Sequence, residues 1–380
     1  MAGWGIEFLA TASAENTSSG LSRAVWELAA ALADRGHRVR VLYPTETLAP
    51  SPPVRGVTGV PVPLVGIRRR PFGRDIAIGQ NASRLLDPNA DLVIGNDEKA
   101  GALTVGRGPR PVFGMFVHDV AVHTFDTLRP LEPKRGLRQS VGNFLDRRTL
   151  VRLEGRALSR ARAILVASEL NRELLRRHYA IPADRVHVLP LGIPDPIDVG
   201  PKDAARLALK VPTDVPTVAF IGRTPERQGL PLALEAFRRT RAFFPGARLL
   251  VVGSQVPSEP GVTSLGVVDE RTKGRVLRAA DVFLFPARYE GYGLAPREAM
   301  RYGVATVVSR HVPFDGIRGH DQIRIVASDE AGDYASELAE LLADSALRRS
   351  VGEAGRAYAD QFSYAKMAER FEGIFGPLVR

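Results

Sequence analysis

The sequence has no cysteine, which excludes disulfide bonds and thiolate metal sites. It also lacks any run of the roughly 20 apolar residues that a membrane-spanning helix needs, and its N-terminal segment lacks the basic and apolar regions of a secretory signal. We therefore expect a cytoplasmic protein. There is no Asp-x-Asp sequence and no histidine cluster with ligand spacing, so the sequence indicates neither a catalytic metal nor a cofactor.

Two further classes of protein are disfavoured by what is missing. No Gly-x-Gly-x-x-Gly follows the first predicted strand, which argues against a nicotinamide-dependent dehydrogenase. The chain carries 52 Lys and Arg against 42 Asp and Glu, a net charge of +10. Its basic residues are not interleaved with aromatic ones, however, and no nucleic-acid-binding module is recognisable, so we expect no nucleic-acid partner.

What the sequence does contain is a regular alternation of strand and helix patterns, which is typical of parallel sheets with helical crossovers. At 380 residues the chain exceeds the roughly 250–300 residues at which single cores stop growing, so two Rossmann-like domains are expected. Residues 5–10, 21–35 and 38–43 predict a strand, a helix and a strand. Further strands are predicted in this half at 112–117, 163–167 and 186–189.

The alternation breaks at the proline-rich segment 189–196, where we place the linker between the domains. The proline-rich stretch 50–63 is predicted to be a loop. Beyond the linker the pattern restarts, with strands predicted at 218–221, 249–252, 282–285 and 306–309 and helices at 230–240, 270–280 and 296–302.

The stretch 285–310 carries the clearest chemical pattern. A buried strand is followed by a glycine-rich turn and a helix, and seven residues separate Glu290 from Glu298. The main-chain N–H groups of Gly293 and Leu294, at a helix start, favour a phosphate there without any metal. Ionised carboxylates only accept hydrogen bonds, so the two glutamates suit the hydroxyl groups of a hexose and of a ribose. One loop can therefore hold a sugar nucleotide.

This pattern resembles the E-x7-E signature of the retaining enzymes of glycosyltransferase family 4 (GT4), which have the GT-B fold. The resemblance fits in order and spacing from about Ala163 onward and more loosely before it. Its other matches are Gly222-Arg223 after a strand, Val251-Val252-Gly253, Leu265-Gly266, Ala279-Ala280-Asp281-Val282 and Phe362-Ser363-Tyr364.

The resemblance implies an α/β chain with two Rossmann-like parallel-sheet domains facing across a cleft. We expect an acceptor-binding domain at 1–194, joined by a C-terminal helix at 363–380, and a nucleotide-sugar-binding domain at 195–362. The implied activity is metal-independent transfer of a sugar, with retention by front-face attack, from a UDP- or GDP-type nucleoside diphosphate sugar to an acceptor hydroxyl. Glycans, lipid-linked molecules and small molecules are the candidate acceptors.

Arg223 follows a predicted strand at the edge where ligands bind in doubly wound folds, and its guanidinium can bind two phosphate oxygens. The resembled family usually has a lysine just before the next glycine, where this chain has Gln228. A neutral amide cannot offset the charge of a diphosphate. Either Arg227 supplies the missing cation or the leaving group is held less strongly.

In the resembled family a histidine at a strand end approaches the donor sugar, and His118 follows the predicted strand 112–117 in this way. Gly20 opens the first helix, after Ser18 and Ser19 as candidate caps, and glycine lets the main chain approach a phosphate closely. The family has paired glycines there, whereas this chain has one. His118 and Gly20 are expected to act from the N-terminal domain as the cleft closes.

The expected site therefore has two parts. The catalytic residues are His118, Arg223 and Glu290. The donor-binding residues are Gly20, Arg227, Gln228, Gly291, Tyr292, Gly293, Leu294 and Glu298. Two other functions stay open: a nucleotide-sugar epimerase or phosphorylase on the same fold, and a non-catalytic sugar-nucleotide-binding relative.

Residues 129–162 contain 10 basic and 3 acidic residues with apolar ones between them. One interpretation is peripheral contact with an anionic membrane at its inner face, where each basic residue contributes about 1 kcal/mol. The other is a solvated helix whose apolar side packs on the protein.

Overall fold

The computed structural model describes residues 3–13, 20–45, 54–64, 71–105, 110–128, 137–317 and 321–379. The chain divides into two compact units. The first unit is formed by residues 1–192 together with 364–380, and the second unit by residues 193–363.

The first unit is built on a parallel sheet. Its described elements before residue 193 are β1 (Gly5–Leu9), α1 (Gly20–Asp34), β2 (Arg38–Thr45), β3 (Val57–Pro63), α2 (Pro71–Ser83), β4 (Leu92–Asn96), a 3-10 helix (Asp97–Ala102), β5 (Val112–Val117), α3 (Ala121–Leu128), α4 (Leu137–Arg160), β6 (Ala163–Val166), α5 (Glu169–Tyr179), a second 3-10 helix (Ala183–Arg185) and β7 (Val186–Val188). The described strands are paired in the order β3-β2-β1-β4-β5-β6-β7. β1, β4 and β5 are buried at every residue, as expected for a sheet covered on both faces.

The second unit repeats this architecture. Its described elements are α6 (Lys202–Ala208), β8 (Thr217–Ile221), α7 (Pro225–Gln228), α8 (Leu230–Arg241), β9 (Arg248–Val252), β10 (Val262–Gly266), α9 (Glu270–Ala279), β11 (Val282–Phe285), α10 (Leu294–Arg301), β12 (Ala305–Ser309), β13 (Arg324–Val326), α11 (Ala331–Ala343) and α12 (Ser345–Ala359). The described strands lie parallel in the order β10-β9-β8-β11-β12-β13. Counted within this sheet, the order is 3-2-1-4-5-6, that of doubly wound nucleotide-binding folds. The prediction of two Rossmann-like parallel sheets is confirmed.

The last helix, α13 (Tyr364–Val379), returns to the first unit. Phe371 packs against Phe8 of β1 with ring centroids 5.8 Å apart, and Phe375 lies over Gly114, where a Cβ would come within 2.6 Å of its ring. Arg35 binds the Glu372 carboxylate through two hydrogen bonds of 2.7 Å. These contacts make α13 part of the core of the first unit.

The structure contains strands that the sequence analysis did not predict. β3 lies within the proline-rich stretch 50–63, so the prediction of a loop is wrong for residues 57–63. Pro61 and Pro63 pair with β2 from the edge of the sheet, where a missing N–H donor is tolerated. β4, β10 and β13 were also not predicted.

Candidate functional site

The sheet of the second unit has a switch point between β8 and β11. These strands are neighbours in the sheet, while the chain continues from them toward opposite edges. Ligands of doubly wound folds bind outside the carboxyl ends of the strands at such a point. Arg223 follows the end of β8 and Glu290 follows the end of β11. The two loops that border this point therefore carry two of the predicted site residues.

The loop after β11 ends at Gly293, whose φ of 80° and ψ of 62° make it a left-handed cap of α10. A Cβ at Gly293 would lie 2.6 Å from a methyl group of Val312, so both the backbone angle and the available space favour glycine. Because this glycine caps the helix, α10 begins at Leu294 rather than at residue 296 as predicted. The main-chain donors of Leu294 and Ala295 lie in the first helical turn, where an anion is stabilised.

A buried cation supports this loop. Arg297 is 1% exposed, and its guanidinium carbon lies 3.9 Å from the ring centroid of Tyr292 and 4.1 Å from that of Phe314. It donates hydrogen bonds to the carbonyl groups of Tyr292, Gly293 and Pro313. Such contacts offset the cost of burying a charge. Arg297 therefore ties the start of α10 to the loop before it, a role that the sequence analysis did not predict.

Glu298 is only 5% exposed and forms an ion pair. Lys273 on α9 places its Nζ 2.9 Å from Oε2 of Glu298 and 2.8 Å from Oε2 of Glu270. A carboxylate this deeply buried needs such a partner, because an isolated buried charge is costly. Lys273 was not predicted from the sequence, since no spacing rule relates a helix of one crossover to the helix of the next.

Glu290 lies beside an arginine on α7, the short helix that follows β8. Nη2 of Arg227 is 3.7 Å from Oε1 of Glu290, and the two side chains are 18% and 17% exposed. Nε of Arg227 donates to the carbonyl of Tyr289 (3.2 Å), and the guanidinium carbon lies 5.1 Å from the centroid of that ring. Arg227 thus connects α7 to the loop after β11.

The departure from the family pattern at Gln228 has a structural consequence. Oε1 of Gln228 accepts hydrogen bonds from the main-chain N–H groups of Arg223 (2.7 Å) and Thr224 (3.0 Å). The Arg223 side chain itself is exposed. Gln228 therefore closes the turn from which Arg223 projects, at the carboxyl end of β8.

His118 belongs to the first unit, where it follows β5. It is 3% exposed and stacks on Phe116, with ring centroids 4.4 Å apart. Its Nε2 lies 3.2 Å from Oδ1 of Asn96, its main-chain N–H donates to Oδ1 of Asp97 (3.0 Å), and its carbonyl accepts from Nδ2 of Asn171 (2.6 Å). Contacts from three segments therefore fix both the ring and the backbone of His118.

Gly20 is the first residue of α1 in the first unit. Ser18 and Ser19, the predicted caps of this helix, lie outside the described residues, as does the part of the basic region at 129–136. Gly291 and Tyr292 are buried within the loop after β11. Gly20 and His118 thus belong to one unit, and the other predicted site residues to the second.

Within the basic region, α4 carries a buried carboxylate. Glu154 is 0% exposed and accepts hydrogen bonds from the Ala121 N–H at the start of α3 and from the Tyr179 hydroxyl. Burial, together with the Glu154 charge, raises the pKa of Tyr179 well above its usual range. Nearby on α3, burial and the neighbouring His178 lower the pKa of His123. Neither histidine was predicted to have a role.

Metal-binding clusters and membrane-spanning helices are both missing from the part of the chain that the structure describes. Within those ranges, no group of three or more His, Asp or Glu side chains could hold a metal ion. The helices of the same ranges include none that is both long enough and apolar enough to cross a bilayer.

Comparison with known proteins covers both units. The family profile described as glycosyl transferases group 1 matches residues 201–358, and that of glycosyltransferase family 4 matches residues 18–195. A phosphatidyl-myo-inositol mannosyltransferase of Mycolicibacterium smegmatis is 30% identical over 357 residues, which cover 87% of this chain and 82% of that protein.

Two further proteins extend the comparison. A D-inositol 3-phosphate glycosyltransferase of Segniliparus rotundus is 29% identical over 235 residues, which are 57% of this chain and 52% of that protein, so the match spans about half of its length. The structure of a sucrose-phosphate synthase from Thermosynechococcus elongatus superposes with a TM-score of 0.78 at 19% identity, covering 98% of each chain.

Two Rossmann-like sheets, the loops at the switch point and these matches together define a glycosyltransferase with the GT-B fold. The chain belongs to glycosyltransferase family 4 and is an enzyme of the hexosyltransferase class. The resemblance inferred from the E-x7-E pattern is confirmed.

Proposed function

We propose that this enzyme transfers a sugar from a nucleoside diphosphate sugar to an acceptor hydroxyl, with retention at the anomeric carbon and without a bound metal. The observation that carries the proposal is the pair of loops at the β8–β11 switch point, which present Arg223, the Arg227–Glu290 pair and the open start of α10 at one sheet edge. A site with a cation, main-chain donors and carboxylates matches the chemistry of a sugar nucleotide.

The ribose, the hexose and the diphosphate of the nucleotide sugar each have a proposed partner in the second unit. Glu298, oriented by Lys273, accepts hydrogen bonds from the ribose hydroxyls, and Glu290 accepts them from the hydroxyls of the hexose. Arg223 and the N–H groups of Gly293 and Leu294 bind the diphosphate. We assign the nucleotide to the second unit and the acceptor to the first.

The proposed chemistry is front-face substitution. The acceptor oxygen bonds to the anomeric carbon on the face from which the diphosphate leaves, and a phosphate oxygen of the leaving group takes the acceptor proton. Arg223 offsets the charge that develops on that phosphate. His118, fixed by its contacts in the first unit, contributes to binding the donor sugar.

The acceptor is proposed from the names of the relatives. Two of them carry inositol in their names, as a phosphatidyl-myo-inositol mannosyltransferase and a D-inositol 3-phosphate glycosyltransferase. We therefore propose inositol phosphates and phosphoinositides as the first acceptors to test, ahead of other glycans, lipid-linked molecules and small aglycones.

The test is a donor and acceptor screen. UDP- and GDP-hexoses are incubated with the enzyme in the presence of a chelator, and release of the nucleoside diphosphate is measured with and without each acceptor. Acceptor-dependent release together with an α-configured product from an α-configured donor supports the proposal. Release that requires an added divalent metal contradicts its metal independence.

Two alternative functions predict other outcomes. An epimerase or phosphorylase would isomerise the donor or consume phosphate, and a non-catalytic relative would bind the nucleotide without turnover. The two inositol-named relatives are transferases, which does not favour either alternative.

We also propose that the first unit contacts an anionic membrane through α4. Arg148, Arg152 and Arg156 are exposed and lie four residues apart on one face of this helix. None of the three has an acidic partner among the described residues. An aligned row of cations with no counter-charge among the described residues matches the surface of anionic lipids.

Vesicle binding tests this contact. We expect the triple change of Arg148, Arg152 and Arg156 to glutamine to abolish binding to phosphatidylglycerol-containing vesicles, with phosphatidylcholine vesicles as the neutral reference. The matched control changes Arg172, Arg176 and Arg177 on α5, which lie beside Glu169 and Glu173. Equal loss of binding in both triple variants would contradict a specific role for α4.

A further inference from the structure

The proposed function does not explain the roles of two neighbouring residues, Arg227 and Gln228. The resembled family usually has a lysine at the position of Gln228, where it would add a positive charge to the proposed diphosphate site. In this chain Oε1 of Gln228 is instead bound by the main-chain N–H groups of Arg223 and Thr224, at 2.7 and 3.0 Å. Both partners are donors, so the amide oxygen, and not its nitrogen, must face them.

A lysine cannot make these contacts, because an ammonium group has no acceptor. The Gln228 main chain also belongs to the same turn, since its N–H donates to the carbonyl of Thr224 (2.8 Å). With glutamine at this position, the positive charge of a lysine is absent, and the side-chain oxygen closes the turn that carries Arg223.

Arg227 is the cation nearest in sequence to that position, but its contacts point to Glu290. Nε is used by the Tyr289 carbonyl, the guanidinium lies over the Tyr289 ring, and Nη2 is 3.7 Å from the Glu290 carboxylate. Its own carbonyl accepts from the N–H of Arg288 (2.8 Å). Every one of these contacts is made to the loop after β11.

The next residue keeps the two loops together. Gly229 has a φ of 76°, and a Cβ there would lie 1.8 Å from the carbonyl oxygen of Pro286, the first residue after β11. No other residue fits without displacing the backbone. The segment with Arg227 and Gln228 is therefore held in a defined position against the loop that carries Glu290.

We infer that Arg227 and Gln228 are positioning residues that stand in place of a diphosphate-binding lysine: Gln228 fixes the turn of Arg223, and Arg227 orients Glu290 toward the donor sugar. The inference rests on the proposed function and makes it more specific. Arg223 is then the one cation of this segment that binds the diphosphate, and Arg227 acts on the hexose through Glu290.

The role of Arg227 is tested by comparing two ligands, the free nucleoside diphosphate and the corresponding nucleotide sugar. We expect Arg227→Met to weaken binding of the nucleotide sugar about tenfold, as for loss of a charged contact, while binding of the free nucleoside diphosphate stays within about twofold. Glu290→Gln is the matched variant and should show the same selective loss. An equal loss for both ligands in Arg227→Met would place Arg227 on the diphosphate and overturn the inference.

The role of Gln228 is tested by amide hydrogen exchange of Arg223 and Thr224 in the enzyme without ligand. We expect Gln228→Met and Gln228→Lys to raise the exchange rates of both amides about tenfold, since each loses both hydrogen bonds. Gln228→Glu keeps an acceptor oxygen and should preserve the protection. Unchanged exchange in Gln228→Met would show that Gln228 does not fix the turn.

Gln228→Lys adds a second readout. If a lysine at position 228 acted only through its charge, Gln228→Lys would bind the nucleoside diphosphate more tightly than the wild type. Tighter binding would contradict the inference. We expect no tighter binding, because the turn of Arg223 is lost. If the wild-type enzyme binds no nucleotide at all, the proposed function fails, while the exchange measurement still reports on the turn.

Discussion

Lys273 Nζ lies 2.9 Å from Oε2 of Glu298, so the carboxylate proposed to bind the ribose is part of an ion pair. The lysine comes from α9 and the glutamate from α10, on the two sides of β11 in the chain. A carboxylate held by a fixed cation loses little conformational freedom when a hydroxyl binds to it. The pair therefore holds Glu298 in a fixed position in the proposed nucleotide site.

The first prediction concerns Glu298 itself. We expect Glu298→Ala to raise the dissociation constant of the nucleoside diphosphate about 10- to 100-fold, because hydrogen bonds to a charged group contribute roughly 1.5–3 kcal/mol. Isothermal titration calorimetry measures this change. Glu270→Gln is the control, since Glu270 shares Lys273 but is not proposed to bind the ribose. Unchanged affinity in Glu298→Ala would remove the proposed role of Glu298.

The second prediction concerns Arg297. Arg297→Met removes the side-chain donor from the carbonyl groups of Tyr292 and Pro313, whereas the Gly293 carbonyl keeps the main-chain N–H of residue 297. Each buried unsatisfied group costs about 1–3 kcal/mol. We expect a loss of about 3 kcal/mol or more in the free energy of unfolding, measured with urea. Arg310→Met is the control, because Arg310 is 54% exposed and pairs with Asp329 at the surface. A similar small loss in both variants would contradict the supporting role of Arg297.

The third prediction separates backbone strain from crowding at Gly293. Gly293→Ala places a residue with a Cβ at a φ of 80°, where the Cβ also meets Val312 at 2.6 Å. Gly303 has a similar φ of 75°, but a Cβ there would have no neighbouring atom within 4 Å, so Gly303→Ala carries only the strain. We expect about 1–3 kcal/mol of destabilisation from strain in both variants, and a larger loss in Gly293→Ala.

Thermal and urea unfolding of the two alanine variants give this comparison directly. Equal destabilisation would show that Val312 moves aside. Nucleotide affinity is the second measurement, and we expect it to fall only in Gly293→Ala, because Gly293 caps the helix whose start is proposed to bind the diphosphate.

The fourth prediction is a pH dependence of stability. Burial lowers the pKa of His123 below its ordinary value of about 6.5, with a further contribution from His178. The unfolded chain then binds a proton more readily than the folded one, so stability is complete above about pH 6.5 and declines as the pH falls toward the folded pKa. We expect His123→Asn to lose less stability than the wild type between neutral and mildly acidic pH. Parallel acid profiles would contradict this assignment.

Several strands could be predicted from continuous apolar runs bounded by turns, although β4, which is also buried at every residue, was not. The predicted strands 112–117 and 282–285 have the same ends as β5 and β11, which are buried at every residue. β3 and β10 were not predicted, because they lie at the edges of their sheets. Edge strands carry prolines, glycines and polar residues, as in Val262-Thr263-Ser264-Leu265-Gly266, and so lack the apolar pattern.

Some residues of the candidate site could also be predicted from the sequence and others could not. The positions of Arg223 and Glu290 could be predicted because a loop after a parallel strand lies at a known edge of the sheet. The contacts of Lys273 and Arg297 could not, because they depend on how separate segments pack rather than on spacing along the chain. The cap formed by Gln228 is a local contact, yet the same sequence also permits an amide that points to solvent.

Because α13 completes the first unit, the order of folding during translation is constrained. The second unit is a continuous segment, whereas the first lacks Phe371 and Phe375, both fully buried, until α13 has been synthesised. The second unit can therefore reach its native state before α13 is available to the first unit. We expect the half of the chain that is synthesised first to complete its folding after the half that follows it.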